Sequence, residues 1–198
     1  MTPAEAITQL ERLYRRTVIG IGGASGAAAA VPGVGTAASV ASGAAEITAF
    51  VSASVMYVLA LAELYGVPVS DPDNRRALVV AVLVGEGADR VIAGAASDSA
   101  HWAQMLGKTT SKERITGING RLTRMLLTRF GARQGALLFG RALPLGIGAG
   151  IGAAGNAALA KGAIKSARRA FGPPPKAFPP RVVDSAPPEH FRPRPRRW

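Results

Sequence analysis

Apolar residues along this chain recur at helical rather than alternating spacing, so the pattern predicts an all-α fold. Residues 3–16 read as a short amphipathic helix with Ala6, Ile7, Leu10, Leu13 and Tyr14 on one stripe. A long apolar stretch, 17–66, follows, interrupted by Pro32-Gly33-Val34-Gly35. Proline disfavours helix at the residue before it, and the glycines permit a reversal, so the stretch predicts a helical hairpin. Its second arm carries Ala37, Ala41, Ala45, Ala49 and Ala53, and its first arm carries Gly22, Gly26 and Ala30. Small residues four apart let a neighbouring backbone approach closely.

Ser70-Asp71-Pro72 opens the next helix, with Asp71 as N-cap and Pro72 in the first turn. This helix should reach Val84 and loosen at Gly85-Glu86-Gly87, with a second piece to about Ala100. After a loop at 107–110, Ser111 caps a helix to Phe130, with Ile115, Leu122, Leu126 and Phe130 on one side. Arg114, Arg121 and Arg124 fall on another side. A second hairpin repeats the logic of the first: an apolar arm at 137–143, a break at Pro144, then Gly146, Gly150, Ala154, Ala158 and Gly162 four apart. The chain therefore reads as a domain of two Gly/Ala-rich helical hairpins with intervening helices, 1–172. A Pro- and Arg-rich disordered tail, 173–198, follows it.

Composition changes this picture in two ways. The formal net charge is +12, with 24 Lys and Arg against 12 Asp and Glu, which points to an anionic partner. The tail supplies six of the basic residues (Lys176, Arg181, Arg192, Arg194, Arg196, Arg197) against Asp184 and Glu189, so most of the excess lies on the folded part. There is no cysteine, which excludes disulfides and thiolate metal sites. Residues 15–31, an Arg pair and then a Gly/Ala-rich stretch, have the outline of a twin-arginine export signal. The apolar pattern continues past Pro32 to about Tyr65, which fits an intrinsic hairpin better.

Chemistry is hard to find. Gly150-Ile151-Gly152-Ala153-Ala154-Gly155 matches a dinucleotide fingerprint in letters, but proline and glycines precede it and no acidic residue follows at the required distance. Gly107-Lys108-Thr109 lacks the earlier glycine of a phosphate loop. The only histidines are His101 and His190, and His101 with Asp98 reads as a surface pair. No catalytic, cofactor or metal site is expected. Enzyme function would need His101, Glu86 and Asp89 to meet in a cleft. Glu46 and Asn156 stand out because each sits in a run of small apolar residues, where a polar side chain must be paired. We expect them to contact each other between the hairpins. Arg114, Arg121, Arg124, Arg168 and Arg169 are the expected surface for anionic lipid.

Three stretches together resemble the EcsC family of bacterial helical proteins. They are Leu13-Tyr14-Arg15-Arg16-Thr17 leading into the Gly/Ala-rich segment, residues 61–71 with Arg75 following, and residues 143–152 followed by Asn156 and the basic helix end at Arg168-Arg169-Ala170-Phe171. Residues 82–133 and the tail lie outside the resemblance. It implies a helical protein without an assigned enzymatic activity, linked to transport or secretion through an operon that carries an ABC transporter. It also places Arg15 and Arg16 inside the domain. The expected protein is non-enzymatic and associated with the inner face of the cytoplasmic membrane, with an anionic membrane surface and a transporter-type membrane protein as partners. A soluble cytoplasmic module whose basic tail binds an acidic partner or nucleic acid is the alternative.

Overall fold

A computed structural model describes residues 1–29, 36–93, 101–107, 111–141 and 147–180. Among these residues all regular structure is helical: α1 (Pro3–Ala29), α2 (Thr36–Leu64), α3 (Pro72–Val84), α4 (Ala88–Ala93), α5 (Trp102–Gly107), α6 (Lys112–Arg141) and α7 (Ile147–Phe171). The breaks expected at 32–35 and Pro144, the loop at 108–110, Asp98 and the tail from 181 lie outside the described residues, as do the side chains of Ala37, Ala41 and Phe130.

Two helices run further than their sequence pattern implies. The short helix expected at 3–16 continues through the Gly/Ala segment as α1, and the helix expected to stop at Phe130 continues to Arg141 as α6. Both spans lack an interior proline. Glycine lowers helix propensity by about 1 kcal/mol per residue but keeps its N–H donor, so glycines alone do not end either helix. Positive-φ glycines follow the ends of α2, α3 and α7. The C-terminus of α2 closes as a Schellman motif on Gly66 (φ 66°), with Val67 N–H donating to the Ala62 carbonyl (2.8 Å) and Gly66 N–H to that of Glu63 (3.1 Å). The Asp71 carboxylate then accepts from the Asp73 and Asn74 N–H groups at 2.9 Å, the cap expected for α3. Arg75 donates to the Val69 carbonyl at 3.1 Å and fixes the loop between the two helices.

The first arm of one hairpin packs mainly on the second arm of the other: the most extensive helix contact is α1 with α7, followed by α1 with α2 and α3 with α6. The core between these layers contains Val18, Tyr57, Val58, Leu78, Val82, Trp102, Leu122 and Ala160. Trp102 donates its indole N–H to Asp89 at 2.9 Å, which ties α5 to α4. Asn119 on α6 donates to the Asp73 carbonyl at 3.1 Å, joining α6 to the start of α3.

The small-residue line expected on α1 faces inward, with Gly22 and Gly26 buried, but the lines expected on α2 and α7 do not form the main contacts. On α7, Gly150, Ala154, Ala158 and Gly162 are exposed or half-buried, and the more deeply buried line is Gly152, Asn156, Ala160, Ala163 and Ala167. On α2, Ala45 is exposed and Ala49 and Ala53 are half-buried, while Glu46, Phe50, Ser54, Tyr57, Val58 and Leu61 are buried. Larger side chains gain more from burial, at about 25 cal/mol per Å², so they take the inner face where the partner leaves room. On α1 the buried stripe is Ile7, Glu11, Tyr14 and Val18; Leu13, expected inside, is 64% exposed.

Candidate functional site

Glycine is essential at one crossing. A Cβ on Gly22 would lie 2.5 Å from the Gly152 carbonyl oxygen and 2.6 Å from Asn156 Nδ2, so α1 and α7 meet backbone to backbone there. Beside this point Asn156 Nδ2 donates to the Val18 carbonyl at 3.1 Å. Asn156 and Glu46 are both buried, as their positions in apolar runs imply. Through this bond the Asn156 amide clamps α1 to α7. A carbonyl in the middle of a helix accepts only one intrahelical bond, and its second lone pair is available to a side chain brought this close. Gly152 takes part in this crossing from within a helix, so the fingerprint-like run at 150–155 serves packing.

Two turns towards the N-terminus of α1, a polar cluster joins α1, α2 and α7. Arg168 forks onto Glu11, its Nε meeting Oε1 at 2.8 Å and its Nη2 meeting Oε2. Glu11 is buried while the guanidinium keeps 67% of its side-chain surface in solvent. All three tyrosines of the chain surround this pair. Tyr14 stacks on Tyr57 with ring centroids 4.3 Å apart, and its hydroxyl bonds to Ser54 Oγ at 2.8 Å, while Ser54 donates to the Phe50 carbonyl at 2.7 Å. Tyr65 donates to the Gly172 carbonyl at 2.9 Å and packs against Phe171, which fastens the end of α7 to the end of α2. The Tyr57 hydroxyl is buried without a hydrogen-bond partner.

Burial raises all three phenols above their ordinary range. Tyr14 is pushed up to about 12, with the Ser54 bond opposing the shift. Tyr57 is raised further, by burial first and then by the Glu11 carboxylate, against the pull of Arg168. Tyr65 is raised by burial and by Glu11. Glu11, by hydrogen bond first and charge second, holds the Arg168 proton more firmly than usual.

The cluster is a packing device with a clear dependence on its partners. Arg168→Met should cost about 2 kcal/mol, because it leaves a buried carboxylate without its partner. Glu11→Gln should cost less, since the guanidinium released is already wetted. Urea unfolding of both variants checks this order, and the reverse order would contradict the geometry.

The five arginines expected to face lipid divide into two groups. Arg114, Arg121 and Arg124 are exposed on α6, as expected. Arg168 is occupied by Glu11, and Arg169 lies 3.9 Å from Glu86, which also meets Lys165 at 3.3 Å. The neutralising carboxylates are distant in sequence, Glu86 lying 79 residues from Lys165 and Glu11 157 from Arg168, so the pattern of charges along α7 alone hides them. Glu86 and Asp89 are thus engaged separately, and the His101 ring packs against Gly172. Among the described residues no group of three His, Cys, Asp or Glu side chains could hold a metal ion.

Sequence reasoning did not single out Glu11, although a signal existed: it is the one charged member of the stripe Ile7, Glu11, Tyr14, Val18. Two surface features remain. An open groove of about 1000 Å³ is lined by Leu10, Ala60, Leu64, Val67 and Pro68, with Phe178, Pro179 and Pro180 forming one wall. Residues 173–180 are non-helical, as their prolines require, but they lie on the domain, with Pro179 over Gly66. The second feature is α2 itself. Gly43–Leu64 is 22 residues long with a mean hydropathy of 1.8, and only 33% of its apolar window is buried.

Fold and site define a class: an all-helical protein held together by a glycine crossing and an ion pair with a buried carboxylate. No family model, curated protein or solved structure matches the chain.

Proposed function

We propose that this chain is a non-enzymatic, EcsC-like helical protein that associates with the anionic inner face of the cytoplasmic membrane, as an accessory to a transport or secretion partner. The observation that carries the membrane reading is the segment Gly43–Leu64, 22 residues long with a mean hydropathy of 1.8, of which a third is buried and the rest is half-buried or exposed. The charge of +12 and the exposed Arg12, Arg15 and Arg16 of α1 support an anionic surface as the partner.

The helix lies on the bilayer rather than crossing it. Tyr14 stacks on Tyr57 and bonds to Ser54, so residues 12–16 of α1 run beside the middle of the segment. Arg12, Arg15 and Arg16 are exposed there. A crossing would carry three guanidinium groups to the bilayer centre, at a cost of about 2.5–3.5 kcal/mol each. An in-plane helix leaves them in the headgroups.

Flotation with liposomes tests this reading. The protein should float with vesicles that contain anionic lipid, partly at high salt and fully at low salt, and recovery wholly in the soluble fraction at low salt would refute it. The basic tail motivates a second reading, a soluble module that binds an acidic partner or nucleic acid. In that case binding should fall steeply with salt and disappear when 181–198 are removed.

A further inference from the structure

We propose that the outer side of the α1–α2 seam, from the groove beside Gly66 past Leu13 and Met56, is the face that enters the lipid; this rests on the membrane reading above. The groove brings Leu10 of α1 together with Ala60 and Leu64 of α2. Leu13 lies one turn above Leu10, and Met56 lies one turn above Ala60. The two helices run antiparallel, as the pairing of Tyr14 with Ser54 and Tyr57 requires, so both steps lead the same way along the seam. Leu13 is 64% and Met56 74% exposed, among the largest exposures of any apolar side chain among the described residues, and Phe178 in the groove wall is 46% exposed.

Further along, the seam carries Thr17 and Ser52, then Gly20 and Ala49, then Ala24 and Ala45, each exposed or half-buried and none charged. Glu63 at the groove is the one charge on the strip, and Arg16 borders it. The apolar part, Leu10, Leu13, Met56, Ala60 and Leu64, adjoins the groove, and contiguous exposed apolar residues mark interaction sites. Its surroundings select lipid as the occupant. Arg12 and Arg16 flank it on α1, and exposed Lys176 precedes the groove wall. The chain continues from Pro180, at the groove, into residues 181–198, with five arginines (Arg181, Arg192, Arg194, Arg196, Arg197) against Asp184 and Glu189. An apolar centre with a cationic border is the pattern of a protein lying in an anionic interface.

The absence of cysteine makes the test direct, because single cysteines can be introduced at exposed positions and labelled. An environment-sensitive fluorophore on Met56→Cys or Leu13→Cys should shift to the blue and lose access to an aqueous quencher when phosphatidylglycerol–phosphatidylcholine vesicles are added. The same label on Leu127→Cys, 68% exposed on α6, should not respond. Met56→Glu should weaken vesicle partitioning by roughly tenfold, as the loss of one inserted apolar side chain implies, and Leu127→Glu should leave it unchanged. Circular dichroism confirms that the variants fold. Wild-type partitioning by Met56→Glu, or shielding of the label at 127 in place of 13 and 56, would overturn the proposed face and leave the membrane reading standing. Failure of the wild-type protein to bind any vesicle would remove both. Concentration-dependent shielding at 13 and 56 without vesicles would make the seam a protein interface and overturn the proposal.

Discussion

Gly22→Val should destabilise the protein by about 3 kcal/mol, at the upper end for overpacking, and lower its melting temperature by about 6–12 °C. The added Cβ would meet a backbone oxygen of α7 at 2.5 Å, which can yield only if the whole helix shifts. Such a shift would also pull Asn156 from the Val18 carbonyl and forfeit a bond that holds the same crossing. Neighbouring glycines supply a control of opposite sign. At Gly20 and Gly23 nothing lies within 4 Å of the place an alanine methyl would take, so alanine there should stabilise α1 by about 0.8–1 kcal/mol through helix propensity. Thermal denaturation of the three variants reads both effects. Equal behaviour at positions 20 and 22 would show that α1 and α7 do not meet at this point.

Raising the pH from 10 to 12 should cost about 4 kcal/mol of stability, from Tyr14 and Tyr57 together. In the unfolded chain both phenols ionise near their ordinary value of 10. In the folded chain they keep their protons, Tyr14 until about 12 and Tyr57 beyond it, because burial disfavours the phenolate. Above pH 10 the unfolded state therefore binds fewer protons, and stability falls as pH rises, by about 1.4 kcal/mol per unit for each group. Below pH 10 their contribution is complete. The expected loss is a large share of the 5–15 kcal/mol typical of a folded domain, so unfolding on the alkaline side should be cooperative. Phenolate absorbance should rise together with the loss of helix. Tyr57→Phe removes a buried hydroxyl that lacks a partner and should roughly halve the slope. Ionisation of all three tyrosines near pH 10 with the helices intact would contradict the cluster.

The helical class was legible because prolines are confined to a few positions before the tail and apolar residues recur at helical spacing. The Asp71-Pro72 start was legible for the same local reason: a cap acts within three residues of chain. Helix lengths were less so, since a glycine cluster weakens a helix without ending it, and α1 and α6 both run through such clusters. Which small residues face inward was not legible on α7, where Gly150, Ala154 and Ala158 lie on one side and Gly152, Ala160 and Ala163 on the other. Both lines are small enough to pack, and only the position of α1 decides between them. At the site, the burial of Asn156 and Glu46 could be read from their apolar surroundings, but the partner of Asn156 could not. Arg168 illustrates the same limit: its charge was visible, and the carboxylate that occupies it lies 157 residues earlier.

That separation has a consequence for the order in which the protein can be made. Val18 meets Asn156 across 138 residues of chain, and Glu11 meets Arg168 across 157. At a synthesis rate of about 5–20 residues per second, Glu11 waits roughly 8–30 s for its arginine to exist. During that interval α2 can cover one flank of α1, while the flank with Gly22 and the Glu11 carboxylate stays open to water. Among the described helices, α7 is therefore made after all the others and locks α1, and a chain halted before α7 keeps the most closely packed surface of α1 uncovered.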